Sequence, residues 1–220
     1  MKKKLKVGLL ATVLCLTLFS CGNADLTIGG NFNGIIADYA SGTIDSIKVF
    51  SNSSADNIIG ICAISSDGKF STNLSTSPGG TAIGNNMGTG VVVSDPATIG
   101  TSVYINVYKN KAKIGSLLKC NFTHSQSSPV VGDAMVGLLY VDRPCTIKGT
   151  YTSGSYTVIY DLSLVKGWNE LAQKITAYSK TATTTTQTIT ATSIIPSDLK
   201  WRYFSTANMQ IKRFQLPGIK

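Results

Sequence analysis

Short apolar segments separated by turn-forming residues recur along almost the whole chain after residue 25, and this pattern constrains the fold more than any other feature. Segments of this length, rich in β-branched and aromatic residues and bounded by Gly, Asn, Asp and Ser, are typical of β-strands. Asn33-Gly34 and Asp67-Gly68 are dipeptides favoured in tight hairpin turns. The sequence therefore predicts an all-β fold, as one large or two small β-sandwiches. The predicted strands are Leu26–Phe32, Ile44–Ser51, Ile58–Ser65, Lys69–Leu74, Gly90–Val93, Val103–Tyr108, Lys113–Asn121, Met135–Val141, Cys145–Tyr151, Tyr156–Leu162, Thr185–Ser193 and Lys200–Phe204.

One segment, residues 168–178, is compatible with a helix. Trp168, Leu171, Ala172 and Ile175 follow the i, i+3, i+4, i+7 spacing of a helix face, and Asn169 is a residue type that caps helix N-termini. Strand alternation through the same segment is imperfect. A short helix and a strand both remain open here.

The N-terminus has the composition of an export signal. Four lysines among residues 1–6 precede an apolar run from Val7 to Phe19, which is shorter than the roughly 20 residues of a membrane-spanning helix. The run ends in Leu18-Phe19-Ser20-Cys21, which resembles the lipobox of bacterial lipoproteins, with Phe19 as a departure from the usual pattern. The resemblance implies signal cleavage between Ser20 and Cys21 and lipidation of Cys21. An uncleaved anchor or an ordinary secretory signal are the alternatives.

The resemblance to lipobox-type envelope lipoproteins, Bacteroidota-like in character, also implies a location. Gly22 follows the cysteine where proteobacterial lipoproteins retained at the inner membrane carry Asp, and Asp25 is the acidic residue nearest to it. We therefore expect a lipid anchor in the bacterial envelope, at the outer membrane rather than the inner one, with the surface and periplasmic faces both open. Leu164-Val-Lys-Gly-Trp-Asn169 is similar to a phrase found in envelope lipoproteins, which implies the same location and no activity.

Composition divides the remaining chain into a tether at residues 21–25, a small unit at 26–75, a Gly/Asn-rich linker or loop at 76–90, and a body at 91–220. The small unit contains Ile44-Asp-Ser-Ile-Lys-Val-Phe50 and the hairpin Ser66-Asp-Gly-Lys-Phe-Ser71. These motifs resemble the transthyretin-like or carboxypeptidase-regulatory-like β-sandwich. That resemblance implies a stalk or spacer module without catalytic residues.

Cysteines offer two interpretations. Cys62, Cys120 and Cys145 remain after signal removal and acylation, and Cys120–Cys145 is the expected disulfide by proximity, with three buried thiols as the alternative. Cys120 and His124 have Cys-x-x-x-His spacing, but the paired Cys-x-x-Cys of zinc ribbons is missing and an exported location favours oxidation. We predict no metal site.

Two tryptophans and two hydroxyl-rich segments are candidate binding or modification sites. Trp168 and Trp201 are either a platform for stacking sugars or core residues, and the core interpretation is favoured. Asp45-Ser46-Ile47 resembles a three-residue O-glycosylation site, which makes Ser46 a candidate acceptor. Thr181 to Thr192 predicts an exposed hairpin, with a glycosylated stalk as the alternative.

Charge and catalytic residue types exclude several functions. The net charge of +9 includes the signal lysines, and removal of residues 1–20 leaves +5. Lys109, Lys111 and Lys113 are read as one face of a solvated edge strand, and no nucleic acid is expected because no aromatic-basic platform accompanies them. The chain has one His and one Glu, no Gly-x-Ser-x-Gly elbow and no phosphate loop. No cofactor is expected.

These observations predict a non-catalytic, lipid-anchored envelope lipoprotein that binds a partner protein or a surface glycan through a β-sandwich. A structural or assembly component of a surface appendage or envelope complex is the alternative. A glycan hydrolase is the third hypothesis. It is the least favoured of the three, because such an enzyme needs two paired carboxylates and no motif singles out such a pair.

Overall fold

A computed structural model describes residues 30–51, 57–85, 87–123 and 129–206. These residues form fourteen strands and one short 3-10 turn at Ile83–Asn85. The all-β, sandwich-like class predicted from the sequence is confirmed. The strands are β1 Asn31–Ile35, β2 Ser46–Ser51, β3 Ile58–Ala63, β4 Lys69–Asn73, β5 Thr81–Ala82, β6 Val91–Val93, β7 Ile99–Lys109, β8 Ala112–Cys120, β9 Ala134–Val141, β10 Cys145–Ser153, β11 Tyr156–Leu164, β12 Gly167–Lys180, β13 Thr185–Thr192 and β14 Lys200–Ser205.

The strands pair into one large sheet and one small ribbon. The ribbon consists of β1 and β4. The large sheet follows the order β3-β2-β7-β8-β9-β12-β13-β11-β10-β6, with β14 added beside β8 and β5 beside β7. All pairings within it are antiparallel except that of β11 with β13. The polypeptide therefore returns to β11 through the long β12–β13 hairpin.

Strand β9 lies between two apolar cores. Val136 and Leu138 belong to a cluster that also contains residues of β1 to β4, β7, β8 and β14, whereas Leu139 and Val141 belong to a second cluster with residues of β10 to β13. Successive side chains of a strand point to opposite faces of its sheet. The two clusters consequently pack on opposite faces of β9.

Residues 168–178 form the middle of β12, so the helix alternative is wrong. Trp168 packs in the first cluster and Leu171 in the second, because β12 lies beside β9 and also has both faces buried at this end. Because both faces are buried at this end, apolar and polar residues do not alternate along the segment as they do in a strand with one exposed face. Asn169 closes the preceding turn instead of capping a helix: its Oδ1 accepts a hydrogen bond from Val165 N, and its Nδ2 donates to Val165 O.

The two predicted hairpin dipeptides have different outcomes. Asp67-Gly68 lies in the turn between β3 and β4, where Gly68 has a φ of 80°, and this prediction is confirmed. Asn33-Gly34 lies inside β1, and the predicted turn is wrong. Gly34 is required there for a different reason: the indole of Trp201 packs against its Cα, where a side chain would collide.

Residues 76–90 do not separate two cores. Strand β2, from the predicted small unit, pairs with β7, from the predicted body. The first apolar cluster contains residues from both sides of the predicted linker. Ile83, which belongs to the predicted linker, is buried in the second cluster. The resemblance of residues 26–75 to a transthyretin-like module stays a prediction.

The lysine cluster lies on a hairpin and not on one edge strand. Lys109 ends β7, Lys111 sits in the turn with a φ of 67°, and Lys113 belongs to β8. The strand β7 is internal to the sheet, since β2 and β8 flank it. Lys109 pairs with Asp45 at 2.7 Å, so local ion pairing accounts for part of this charge.

Candidate functional site

A shallow, open groove of about 630 Å³ lies where the outer face of the β1–β4 ribbon meets the end of β3. Strand β3 joins β4 of the ribbon through the turn at Asp67-Gly68, and residues of both strands and of this turn line the groove. The groove is lined by Asn33, Gly34, Ile35, Ala63, Ile64, Ser65, Asp67, Lys69, Phe70 and Ser71.

The surface of the groove combines an exposed aliphatic side chain with an ion pair. Ile35 is 56% exposed, whereas its neighbours in the chain, Gly34 and Ile36, are partly buried and buried. Lys69, which lies opposite Ile35 across the ribbon, pairs with Asp67 at 2.6 Å. The groove is therefore apolar at Ile35 and charged beside it.

Asp67 is held as an anion. Hydrogen bonds from Lys69 and from the Ser65 hydroxyl lower the pKa of the Asp67 carboxyl to about 2. The same pairing raises the pKa of Lys69. At neutral pH both groups are charged, so the groove carries one negative and one positive charge beside Ile35.

An aromatic cluster supports the groove from below. The ring of Phe70 lies 5.0 Å from that of Phe32 and 5.5 Å from that of Trp201, and Phe32 and Trp201 meet edge to face at 5.2 Å. The indole Nε1 of Trp201 is buried and has no hydrogen-bond partner among the described residues. Three rings that hold one another in this way make the base of the ribbon rigid.

Neither tryptophan can serve as a sugar platform, which corrects that interpretation. Trp168 is 3% exposed and Trp201 is 6% exposed, so neither indole face is open to a ligand. The Nε1 of Trp168 donates to Ser75 O at 3.0 Å, and its ring meets that of Tyr140 at 5.4 Å. Both tryptophans are core residues, as the favoured alternative predicted.

The structure separates the cysteines that were predicted to pair. Cys120 packs with Phe122 and Phe204, Cys145 lies in the second apolar cluster, and Cys62 lies in the first. All three thiols are free and buried, so the Cys120–Cys145 disulfide is absent from this structure and the three-thiol alternative describes it. Burial raises the pKa of Cys62 and of Cys120 to about 11.

The structure also places the hydroxyl-rich candidates. Ser46 begins β2, is half-buried, and pairs with Ala63 on one side and Tyr108 on the other. The exposed-hairpin prediction for Thr181–Thr192 is confirmed only in part: the threonines at residues 181–186 are exposed at the tip of the β12–β13 hairpin, whereas Ile189 and Ala191 are buried.

Several predicted features lie outside the described residues. These are the signal at residues 1–20, the cleavage site at Ser20 and Cys21, the tether at 21–25, and His124. Within the described ranges, no helix has the length and apolar character needed to span a membrane, and no group of three or more His, Cys, Asp or Glu could hold a metal ion.

No known protein family, curated protein or solved structure matches this chain. The groove at Ile35 was not predicted from the sequence. The nearest signal was Ser65-x-Asp67-Gly68-Lys69, which indicated a turn but not that its side chains would border a concave surface.

Proposed function

We propose that the protein is an exported lipoprotein, acylated at Cys21 and held at the outer membrane, whose groove at Ile35 binds a partner protein without catalysis. The observation that carries the binding part is the exposed Ile35 beside the Asp67–Lys69 ion pair. Mixed apolar and polar surface of this kind is the usual composition of protein–protein interfaces.

The lipid part is supported by the order of features at the N-terminus. A basic segment, a short apolar run and Leu18-Phe19-Ser20-Cys21 follow one another as in lipoprotein precursors. Each methylene of an acyl chain buried in a membrane contributes about 0.8 kcal/mol, so two chains or more anchor a protein stably. A single acylated cysteine is thus sufficient for attachment.

A protein partner fits the groove better than a glycan. Sugar-binding sites offer aromatic faces, but the groove's one aromatic residue, Phe70, is 4% exposed. Ile35 contributes aliphatic surface instead, and the ion pair beside it can exchange hydrogen bonds with polar groups of a partner.

The groove's ionisable groups argue against acid–base catalysis. A general acid or base is most effective when its pKa lies near the working pH. Asp67 is the carboxylate among the lining residues, and its pKa of about 2 leaves it without a proton at pH 7. Lys69 has its pKa raised, which keeps its amine protonated and poorly nucleophilic.

Metabolic labelling tests the anchor. Cells that express the full chain are grown with an alkyne-bearing fatty acid, and the protein is then probed for incorporated label. We expect label on wild type, loss of label in Cys21→Ser, and full label in the control Cys15→Ser, because Cys15 leaves with the signal. Equal labelling of wild type and Cys21→Ser would refute acylation at Cys21.

Site-specific photo-crosslinking tests the groove. A photoreactive phenylalanine analogue replaces Ile35 in one variant and Val92, which is 69% exposed on β6, in the control. We expect one discrete protein adduct at Ile35, its loss when Ser71→Arg fills the groove, and no such adduct at Val92. An adduct that forms equally at both positions would contradict a binding groove.

A further inference from the structure

The end of the large sheet at which the chain enters the fold carries two exposed aliphatic residues. Val165 is 54% exposed in the turn between β11 and β12, and Ile194 is 79% exposed just after β13. The Ser193 hydroxyl donates to Ser163 O and accepts from Ser163 N, at 3.0 and 2.9 Å. Val165 lies two residues after Ser163, and Ile194 lies one residue after Ser193. The contact between the two serines therefore holds both aliphatic residues at the same end of the sheet.

Gly30, the first described residue, lies at this same end. Its carbonyl accepts a hydrogen bond from Leu74 N at 2.7 Å, and Trp168 Cδ1 lies 3.3 Å from the position of a Cβ on Gly30. Trp168 in turn follows the Val165 turn by three residues. The point where the chain enters the body is therefore close to the two exposed aliphatic side chains.

The chain between Cys21 and Gly30 is short. Residues 22–29 separate the two, and nine residue steps span about 30 Å at most when fully extended. A body tethered over this length meets the membrane at high effective concentration, which makes even a weak surface contact populated.

The charged groups at this end do not oppose contact with phospholipid. Asp142 and Asp95 both pair with Arg143, at 2.9 and 3.7 Å, so one guanidinium offsets one of their two negative charges. Lys166, exposed beside Val165, adds a cation. Exposed aliphatic groups beside cations are the combination that interfacial segments use at membrane surfaces.

We infer that Val165 and Ile194 insert into the headgroup region of the membrane that holds the lipid anchor, so that this end of the sheet faces the bilayer. The inference rests on the proposed acylation of Cys21. It fixes the orientation of the body, because Val131 and the hairpin tip at residues 181–184 lie at the opposite end of β9 and β12 and must then point away from the membrane.

The chain offers a matched control for this orientation. Val131 is 55% exposed, nearly the same as Val165, but it precedes β9 at the end opposite Gly167. Along β9 the two ends are about 25 Å apart. Val165→Cys, Ile194→Cys and Val131→Cys are each labelled with an environment-sensitive NBD dye, which reports selectively because the body's own thiols are buried.

The experiment uses the acylated full chain reconstituted into vesicles of phosphatidylethanolamine and phosphatidylglycerol. We expect NBD emission at 165 and at 194 to shift to the blue and rise severalfold on reconstitution, and emission at 131 to stay as in water. Ile194→Asp should reduce the rise at 165 by half or more. Equal changes at 131 and 165, or none at 165 and 194, would overturn the orientation.

Co-flotation of protein with vesicles distinguishes the two proposals. Protein that floats but shows unchanged emission at 165 and 194 overturns this inference and leaves the anchor intact. Protein that fails to float refutes the anchor and, with it, the inference.

Discussion

The substitution Gly34→Ala tests whether Gly34 serves the packing of Trp201 and not a turn. Gly34 lies inside β1, and its φ is outside the left-handed region, so the backbone itself accepts alanine. A Cβ added there would lie 2.5 Å from Trp201 Nε1 and 2.8 Å from Phe70 Cζ. The neighbouring indole atom, Trp201 Cδ1, would be in contact as well. These three nearest atoms all belong to side chains.

Two opposing effects decide whether Gly34→Ala raises or lowers the free energy of unfolding. Gly→Ala at an unstrained site stabilises by about 0.4–1 kcal/mol, because the unfolded chain loses conformational freedom. Overpacking a dense core costs about 1–3 kcal/mol. Trp201 cannot retreat easily, since Phe32 and Phe70 contact it edge to face. We expect overpacking to win, with a net loss of about 1–2 kcal/mol and a fall in Tm of about 2–4 °C per kcal/mol.

Urea and thermal unfolding of residues 22–220, followed by circular dichroism, measure this change. Gly60→Ala is the control, because the nearest atom to its added Cβ is the terminal methyl carbon Cδ2 of Leu74, which can rotate away more easily than an indole ring, and it should cost less. In a double-mutant cycle, Trp201→Phe should relieve part of the Gly34→Ala loss by 0.5 kcal/mol or more, a coupling typical of residues in contact. Wild-type or greater stability for Gly34→Ala would refute the packing argument.

Three further predictions concern the body. Lys119→Met should destabilise by about 3 kcal/mol, because Glu170 would be left charged in a site where the pair is only 12–13% exposed, and Lys119→Met combined with Glu170→Met should recover much of this in thermal unfolding. The three free thiols should react with Ellman's reagent slowly in the native protein and fully in urea; rapid native reaction at pH 8 would contradict their burial. The Asp67 pKa is lowered on folding, so its ionised form stabilises the protein above about pH 4. The Tm difference between wild type and Asp67→Asn should stay constant from pH 5 to 8 and shrink as pH falls from about 4 to 2; a constant difference down to pH 2 would exclude this linkage.

Strands with one buried face were predictable from the sequence. In β11 the buried residues Val158, Tyr160, Leu162 and Leu164 alternate with exposed ones. Alternation of this kind has the two-residue period of a strand, and it is visible without any knowledge of partners. The pairing of β11 with β13 was not predictable, because a parallel neighbour is set by a long-range return of the chain.

The failures at Gly34 and in the candidate site have a common cause. Asn-Gly is a hairpin signal because both residues tolerate positive φ, but glycine is also used where another group approaches the backbone closely. That close approach comes from Trp201, which is far away in sequence. The groove at Ile35 likewise depends on β1 pairing with β4, so local sequence did not reveal it.

Strand β9 is a continuous apolar run, and such a run indicates burial on both faces of a strand. Ala134-Met-Val-Gly-Leu-Leu-Tyr-Val141 has no polar alternation, and a strand of this type is expected where both faces are covered. Even-numbered residues pack into one cluster and Leu139 and Val141 into the other, so β9 needs a core on each side. A strand that both cores require cannot lie at a boundary between independently folded units. The two clusters are therefore expected to lose their packing together when β9 is disrupted.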